Sequence, residues 1–488
     1  MNRKKAIGIQ SKLDVIQLVL NIIIGIVLIP YYLNFISLEL YGFWLATSGV
    51  IVLLDLLDLG ISTVFVERIS KFYSKKSHKN LIDYFYSGIF LHFIIALIIL
   101  LFGLALTPFL SFFFDLGSNE HIIENCFKIA VLTSSLKLLN SGLSNFGSSV
   151  LMPLNYSLTR IVSLILSIIL VIKLLQLNYG LFSLAYGYLA QQLFSIIFNI
   201  IFSLKLIIKI NSSFLGNIRY YILKDFILSL KYLFFARSAE SLIKNIEPVV
   251  IGSTIGAETT AIYVFGKKIS DIIYQFVNIF TGASYASLIN IFQLNRSERK
   301  DIRIENLSNF IFYLAVIFLS FFISLNNDFL HLWVGEDFKI PLLLTTLFAL
   351  SSLLMIWIQF RTVFHFSRNL IKHVSLVLFL EAILRCVLFF ILIKEFNIYG
   401  APAAIIISTS LGILFLDKNF KIDKFHLIIC FLFFSASIFL ANIDMHFLPL
   451  INILIKASVL TIVLLTGTVL SKKFRLDLLS LINYIRKK

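Results

Sequence analysis

The sequence predicts an all-α polytopic membrane protein of about 14 transmembrane helices, built as two related six-helix lobes with two extra helices toward the C-terminus. Three observations carry this reading. Apolar stretches of spanning length recur along the chain, in a composition of 59% hydrophobic and only 14% charged residues. A bilayer accommodates that, because each spanning helix needs about 20 apolar residues. The loops between these stretches are alternately basic and nearly free of Lys and Arg. Short landmarks also repeat at an almost constant spacing.

The first stretch, 13–35, follows Lys4, Lys5 and Lys12. It is too long for the apolar part of a cleavable signal and lacks a small-residue cleavage site, so it reads as the first helix. Five more follow at roughly 40–66, 81–109, 125–147, 159–177 and 181–204, making an N-lobe over 1–204. A basic cytoplasmic linker occupies 205–232. The C-lobe, 233–425, holds stretches at roughly 233–256, 260–292, 307–326, 340–360, 374–394 and 400–416. The last two helices, 426–443 and 449–471, precede a basic tail within 426–488.

The basic loops are Arg3 to Lys12, Arg68 to Lys79, Lys205 to Lys231, Arg296 to Arg303, Arg361 to Lys372, Lys418 to Lys424 and Lys472 to Lys488, with a weaker one at Arg160. The intervening loops hold Lys339 and hardly any other cation, and none is long enough to fold a domain. Loops rich in Lys and Arg stay cytoplasmic, which puts both termini inside. The same rule absorbs the net charge of +16 without any role for nucleic acid.

The repeat rests on three landmarks. Phe329-Leu330-His331-Leu332-Trp333 lies 220 residues after Phe109-Leu110-Ser111-Phe112-Phe113; Gly400 of Ile398-Tyr399-Gly400 lies 220 after Gly180 of Asn178-Tyr179-Gly180; and Glu258, before Tyr263, lies 219 after Glu39, before Tyr41. Six helices per repeat is an even number, so the halves are expected to be parallel, related by an axis along the membrane normal. Substrate is then expected between the lobes near mid-membrane, with alternating access by rocking.

Charge inside an apolar helix costs about 2.5–3.5 kcal/mol on insertion scales, so it faces a partner or a wet cavity. In the seventh helix Arg237, Glu240, Lys244 and Glu247 fall at spacings that share one side. They form either a lumen strip that offers cations to an anionic group or an interhelical ion-pair ladder. Pro248 can loosen the backbone there. In the eighth helix Lys267 and Lys268 cannot share a face: one can enter the cavity while the other snorkels or pairs with Asp271. Glu381 and Arg385 form an i,i+4 pair in the eleventh helix, read as structural or as part of ion coupling or gating. Asp55 and Asp58 are either ion-coupling carboxylates or capping and packing groups. Lys137 in the fourth helix and Asn21 in the first are further candidates to contact substrate. Asn140, Ser144 and Asn145 suit sugar hydroxyls or helix–helix glue equally. Cys126, Cys386 and Cys430 lie in apolar segments and read as core residues. Neither metal spacing nor a Gly-rich phosphate loop is present, so no cofactor is expected and this chain does not hydrolyse ATP.

Several of these residues resemble a known family. Tyr41-Gly42-Phe43-Trp44 followed by Leu53-Leu54-Asp55-Leu56-Leu57-Asp58-Leu59-Gly60 resembles the start of Wzx-type O-antigen and capsule oligosaccharide flippases, within the multidrug/oligosaccharidyl-lipid/polysaccharide exporter superfamily. Asn245-Ile246-Glu247-Pro248-Val249-Val250-Ile251-Gly252 with Ala261-Ile262-Tyr263 resembles that family's seventh-to-eighth helix turn, and Phe329-Leu330-His331-Leu332-Trp333 its fourth external loop. The resemblance covers about the first 416 residues. It implies a two-lobed, V-shaped bundle in a bacterial inner membrane. Such a bundle moves an undecaprenyl-diphosphate-linked oligosaccharide from the cytoplasmic to the periplasmic leaflet, with membrane lipids, Na+ or H+, and polymerase or chain-length machinery as partners. The extra helix pair resembles the lipid II flippases instead. An ion-coupled multidrug exporter of the same fold is the main alternative. A polymerase or glycosyltransferase is disfavoured, since it needs large external loops with catalytic groups.

Overall fold

The computed structural model describes residues 3–54, 58, 60–210, 216–293, 300–335, 338–416, 424–443 and 449–470. Their regular structure is helical, as hydrocarbon surroundings demand: a helix satisfies its own backbone N–H and C=O groups. In order the helices are α1 (Arg3–Leu33), α2 (Leu38–Leu54), α3 (Ile61–Ser74), α4 (His78–Leu106), α5 (Leu110–Phe113), α6 (Glu120–Ser149), α7 (Leu154–Gln176), α8 (Phe182–Ile210), α9 (Tyr220–Thr254), α10 (Ala257–Gln293), α11 (Lys300–Trp333), α12 (Leu342–Ser367), α13 (Ile371–Phe396), α14 (Gly400–Leu416), α15 (Lys424–Ala441) and α16 (Pro449–Leu470).

Each of the fourteen expected spans coincides with helical backbone, the second being shared by α2 and α3. Among the described residues, seven helical stretches are long and apolar enough to cross a membrane by length and composition alone. Gly60 takes φ 84° directly ahead of α3, a conformation a side chain resists. Asn178 (φ 62°) follows α7 and Asn397 (φ 55°) follows α13, so each of these helices, ahead of Tyr179-Gly180 and of Ile398-Tyr399-Gly400, ends before an asparagine at positive φ.

The chain divides into two compact units, Met1–Ala261 and Ile262–Lys488. In the first, α6 lies against α4 and α8, α7 against α8, and α1 against α7. A core of Phe65, Phe85, Phe127, Val131 and Phe146 fills the space among α3, α4 and α6. The helix α2 packs along α9, and against Ala257 at the start of α10, through small residues. A Cβ on Gly42 would meet the Ala257 carbonyl oxygen at 1.9 Å, one on Gly49 would meet Val249 at 2.6 Å, and one on Gly252 would meet Ala46 at 2.7 Å. Such stripes let membrane helices approach closely, where dispersion replaces the missing hydrophobic drive. In the second unit α13 pairs with α14, α12 packs on both α11 and α14, and α11 also carries α15 and α16.

Candidate functional site

The charged strip expected from the sequence lies on α9. At 231–241 and at 244 only the backbone is described, so the side chains of Arg237, Glu240 and Lys244 lie outside the described residues. Glu247 is described and is only 4% exposed. Pro248 follows it inside the helix. Lacking an N–H, it deprives the Lys244 carbonyl, four residues back, of its ladder donor.

On α10, Lys267 is 7% exposed and its ammonium lies 3.7 Å from Asp271, an i,i+4 pair. It also sits 6.0 Å from the centre of the Tyr263 ring. Lys268 is half-buried. Of the two adjacent lysines, Lys267 therefore takes the pairing with Asp271.

Glu381 and Arg385 are buried side by side on α13, and α14 completes their cluster. The Arg385 guanidinium donates to Glu381, to the Ser408 hydroxyl at 3.1 Å and to the Thr409 hydroxyl at 2.7 Å. Thr409 in turn donates to Glu381 Oε1 at 3.1 Å. A carboxylate, a fixed cation and two hydroxyls thus close on one another across the helix pair. Glu381 Oε2 is buried with no hydrogen-bond partner among the described residues.

The remaining candidates are dispersed. Asp55 lies outside the described residues, and Asp58 is half-buried in the break between α2 and α3. Lys137 and Asn21 are exposed on α6 and α1. Asn140 donates to Gln192 at 3.2 Å and accepts from Asn199 at 2.8 Å, which joins α6 to α8.

Three polar groupings have no counterpart in the sequence reading. Arg68 on α3 bonds Asp225 at 2.8 Å and Ser229 at 3.0 Å, while Asp83 on α4 accepts from the Asn217 N–H at 2.9 Å and faces Arg219 at 2.9 Å. These contacts fasten the start of α9 and the residues before it to α3 and α4. His92, fully buried on α4, lies 2.8 Å from the Gly88 carbonyl through Nδ1 and 3.5 Å from the Ser62 hydroxyl through Nε2. Lys456 on α16 bonds Asp328 on α11 at 2.8 Å, with 7% and 16% of the side chains exposed. An isolated Lys in the apolar α16 is the sequence signal for the last; the others need partners more than a hundred residues away or an uncharged ring.

No family model and no curated protein matches the sequence. Solved structures do match the fold. The lipid II flippase MurJ in an inward closed conformation aligns with TM-score 0.66 at 17% identity, over 93% of this chain and 97% of that one. The chain has the fold of the MOP-superfamily transporters. An inward-facing multidrug resistance MATE transporter of that superfamily aligns with TM-score 0.62 at 12% identity, over 83% and 96% of the two chains. A MOP-superfamily transporter from Pyrococcus furiosus, described by the reversed polarity of its binding pocket, aligns with TM-score 0.57 at 12% identity over 86% and 96%. The likeness supports a multi-pass membrane chain.

Proposed function

We propose that this protein is a flippase that moves an undecaprenyl-diphosphate-linked oligosaccharide from the cytoplasmic to the periplasmic leaflet of a bacterial inner membrane by alternating access. The observation that supports the reading is the likeness to the lipid II flippase over 93% of this chain at TM-score 0.66, where the multidrug MATE structures align over 83–90% at 0.62 or below. The cations of α9 and α10 fit the same reading. A diphosphate entering a low-dielectric cavity loses hydration that only fixed cations replace, and Arg does so bidentately. Arg237 and Lys244 hold the diphosphate, with Lys267, Lys268 and Lys137 as further cations and Asn21 toward the sugars. Asp55, Asp58, Glu240, Glu247, Asp271 and Glu381, with Arg385, serve coupling to Na+ or H+ or gating. A lipid II flippase is the nearest variant of this reading. An ion-coupled multidrug exporter is the second, favoured by the MATE likeness.

The test is leaflet transfer of three probes by the full chain in proteoliposomes: an undecaprenyl-diphosphate oligosaccharide, lipid II and a cationic drug. Transfer of the first above the others is expected; transfer of the drug alone overturns the reading. Lys244→Ala should abolish transfer with insertion unchanged, and Lys244→Arg should retain part of it. Neutralising Glu240 and Lys244 together separates the roles: restored transfer makes the pair structural, and continued loss assigns the cation to the substrate.

A further inference from the structure

On α8 the residues Tyr188, Gln192, Ser195, Asn199 and Ser203 recur at spacings of 4, 3, 4 and 4, which sets them along one side of the helix. The exposed apolar residues Leu193, Phe194, Ile197, Phe198 and Ile201 lie on the other side, as a lipid-facing surface requires. Ser195, Asn199 and Ser203 are buried, while Gln192 is half-buried and Tyr188 is 50% exposed. Polar groups at membrane depth that turn away from lipid face either a protein partner or water. The deeper members of this row are enclosed by protein, and the two nearest the start of the helix are left accessible.

Each accessible group is held from behind. The Tyr188 ring stacks on Trp44 of α2, with centroids 6.0 Å apart and planes 16° from parallel. Trp44 is only 8% exposed, so the pair is not part of an aromatic belt in the lipid interface. Stacking covers one face of Tyr188 and leaves the rest of the ring open. Tyr32 of α1 and Tyr41 of α2, with ring centroids 6.4 Å apart, interact electrostatically with the same phenol. Gln192 accepts through Oε1 from Asn140 Nδ2 at 3.2 Å, and Asn140 accepts from Asn199 at 2.8 Å. Asn140 thus fixes the Gln192 amide and leaves its N–H2, which has no partner among the described residues, to donate elsewhere. The row is not a closed lock between helices: the buried Asn199 Oδ1 has no hydrogen-bond partner among the described residues.

Trp44 and Tyr188 each stand six residues beyond the first residue of their helix, Leu38 and Phe182. At 1.5 Å per residue that is about 9 Å. Gln192, ten residues along α8, is about 15 Å in, half of a hydrocarbon core of about 30 Å. The row therefore leads from near the helix ends toward mid-membrane. Its chemistry suits a sugar. A pyranose presents a face of polarised C–H groups, which the negative face of an aromatic ring attracts, and a rim of hydroxyls, which an amide N–H2 meets as donor. We propose that Tyr188 and Gln192, backed by Trp44 and Asn140, form a saccharide-binding site: the pyranose lies on the open face of Tyr188 and its hydroxyls accept from Gln192. The site rests on the reading of the cargo as a lipid-linked oligosaccharide and adds where the glycan is held.

The experiment uses the purified full chain in detergent, with binding read by native mass spectrometry. The probes are undecaprenyl diphosphate, the same lipid carrying one N-acetylglucosamine, and the aromatic cation tetraphenylphosphonium. The sugar should tighten binding about tenfold over the bare lipid, the size of one stacking contact with one hydrogen bond. Tyr188→Ala should remove most of that gain and Gln192→Ala part of it, with binding of the bare lipid unchanged. Tyr188→Phe keeps the ring and should keep most of the gain, which a merely structural phenol would not explain. Because Tyr188 is half exposed, its truncation leaves the fold intact, and an unchanged melting temperature checks this. Two bound lipids with no gain from the sugar, or a gain that survives both Ala variants, would overturn the site and leave the cargo reading standing. Binding of neither lipid would overturn the cargo reading and the site with it. Tetraphenylphosphonium bound by the parent and lost in Tyr188→Ala, with the sugar gain intact, would give the ring to an aromatic cation instead of a saccharide.

Discussion

Arg385 is 1% exposed, and the carboxylate of Glu381 and the hydroxyls of Ser408 and Thr409 help make its burial tolerable. Removing one partner of a buried ion pair costs about 3–5 kcal/mol, because the other charge is left desolvated. Arg385→Ala should accordingly lower the melting temperature strongly and reduce yield. Glu381→Leu with Arg385→Met, which removes both charges at similar volume, should recover most of that stability. A double variant as unstable as the single one would show that the pair itself is required. The i,i+4 spacing made this pair legible in the sequence. Ser408 and Thr409 were not, because nothing local marks which two hydroxyls on the following helix face an arginine more than twenty residues earlier. On α10 the sequence left open which lysine pairs with Asp271, since a shift of one residue turns a side chain by about 100° and only packing fixes the rotation.

At the scale of elements, the contact of α2 with α9 and with Ala257, the first residue of α10, is set by missing side chains. Gly42→Ala places a methyl group 1.9 Å from a backbone oxygen, so one helix has to move. A methyl group added to Gly282 on α10 would meet no atom within 4 Å, and there Ala should be neutral or stabilising by up to about 1 kcal/mol, the usual helix preference of Ala over Gly. Thermal unfolding of the two variants should therefore move in opposite directions; a Gly42→Ala protein as stable as its parent would refute the close packing. Helix positions were readable from hydropathy because each span has to be apolar regardless of its neighbours. The break between α2 and α3 was not, because Asp55 and Asp58 sit in a leucine-rich stretch that reads as one span, while α3 starts only after Gly60 at φ 84°. Likewise the linker reads as a basic loop, whereas α9 already begins at Tyr220. Its first turns are fastened by Asp225 to Arg68 at 2.8 Å, a contact across 157 residues that no local pattern signals.

For the whole molecule, alternation of loop charge predicts that reporters fused at His331 and Lys488 lie on opposite sides of the membrane. Both on one side would refute the even count of spans. The repeat was visible because three landmarks recur at spacings of 219–220 residues, and beside one of them both Asn178 and Asn397 take a positive φ, 62° and 55°. Substrate choice was less legible than fold: apolar pattern determines where helices lie, while selectivity depends on the few polar groups whose rotation the pattern leaves free.

The ion pair between Asp328 and Lys456 has a consequence for biosynthesis. The two residues are 128 positions apart. At about 5–20 residues per second, the ribosome needs roughly 6–26 s to deliver the lysine after the aspartate. For that interval α11 resides in the bilayer with a carboxylate whose counter-ion has yet to be made, and the nascent chain is exposed to membrane quality control. A chain stopped before α16 should be degraded rapidly in a pulse-chase measurement. Asp328→Asn in the stopped chain should lengthen its half-life, while the same change in the full chain should shorten it.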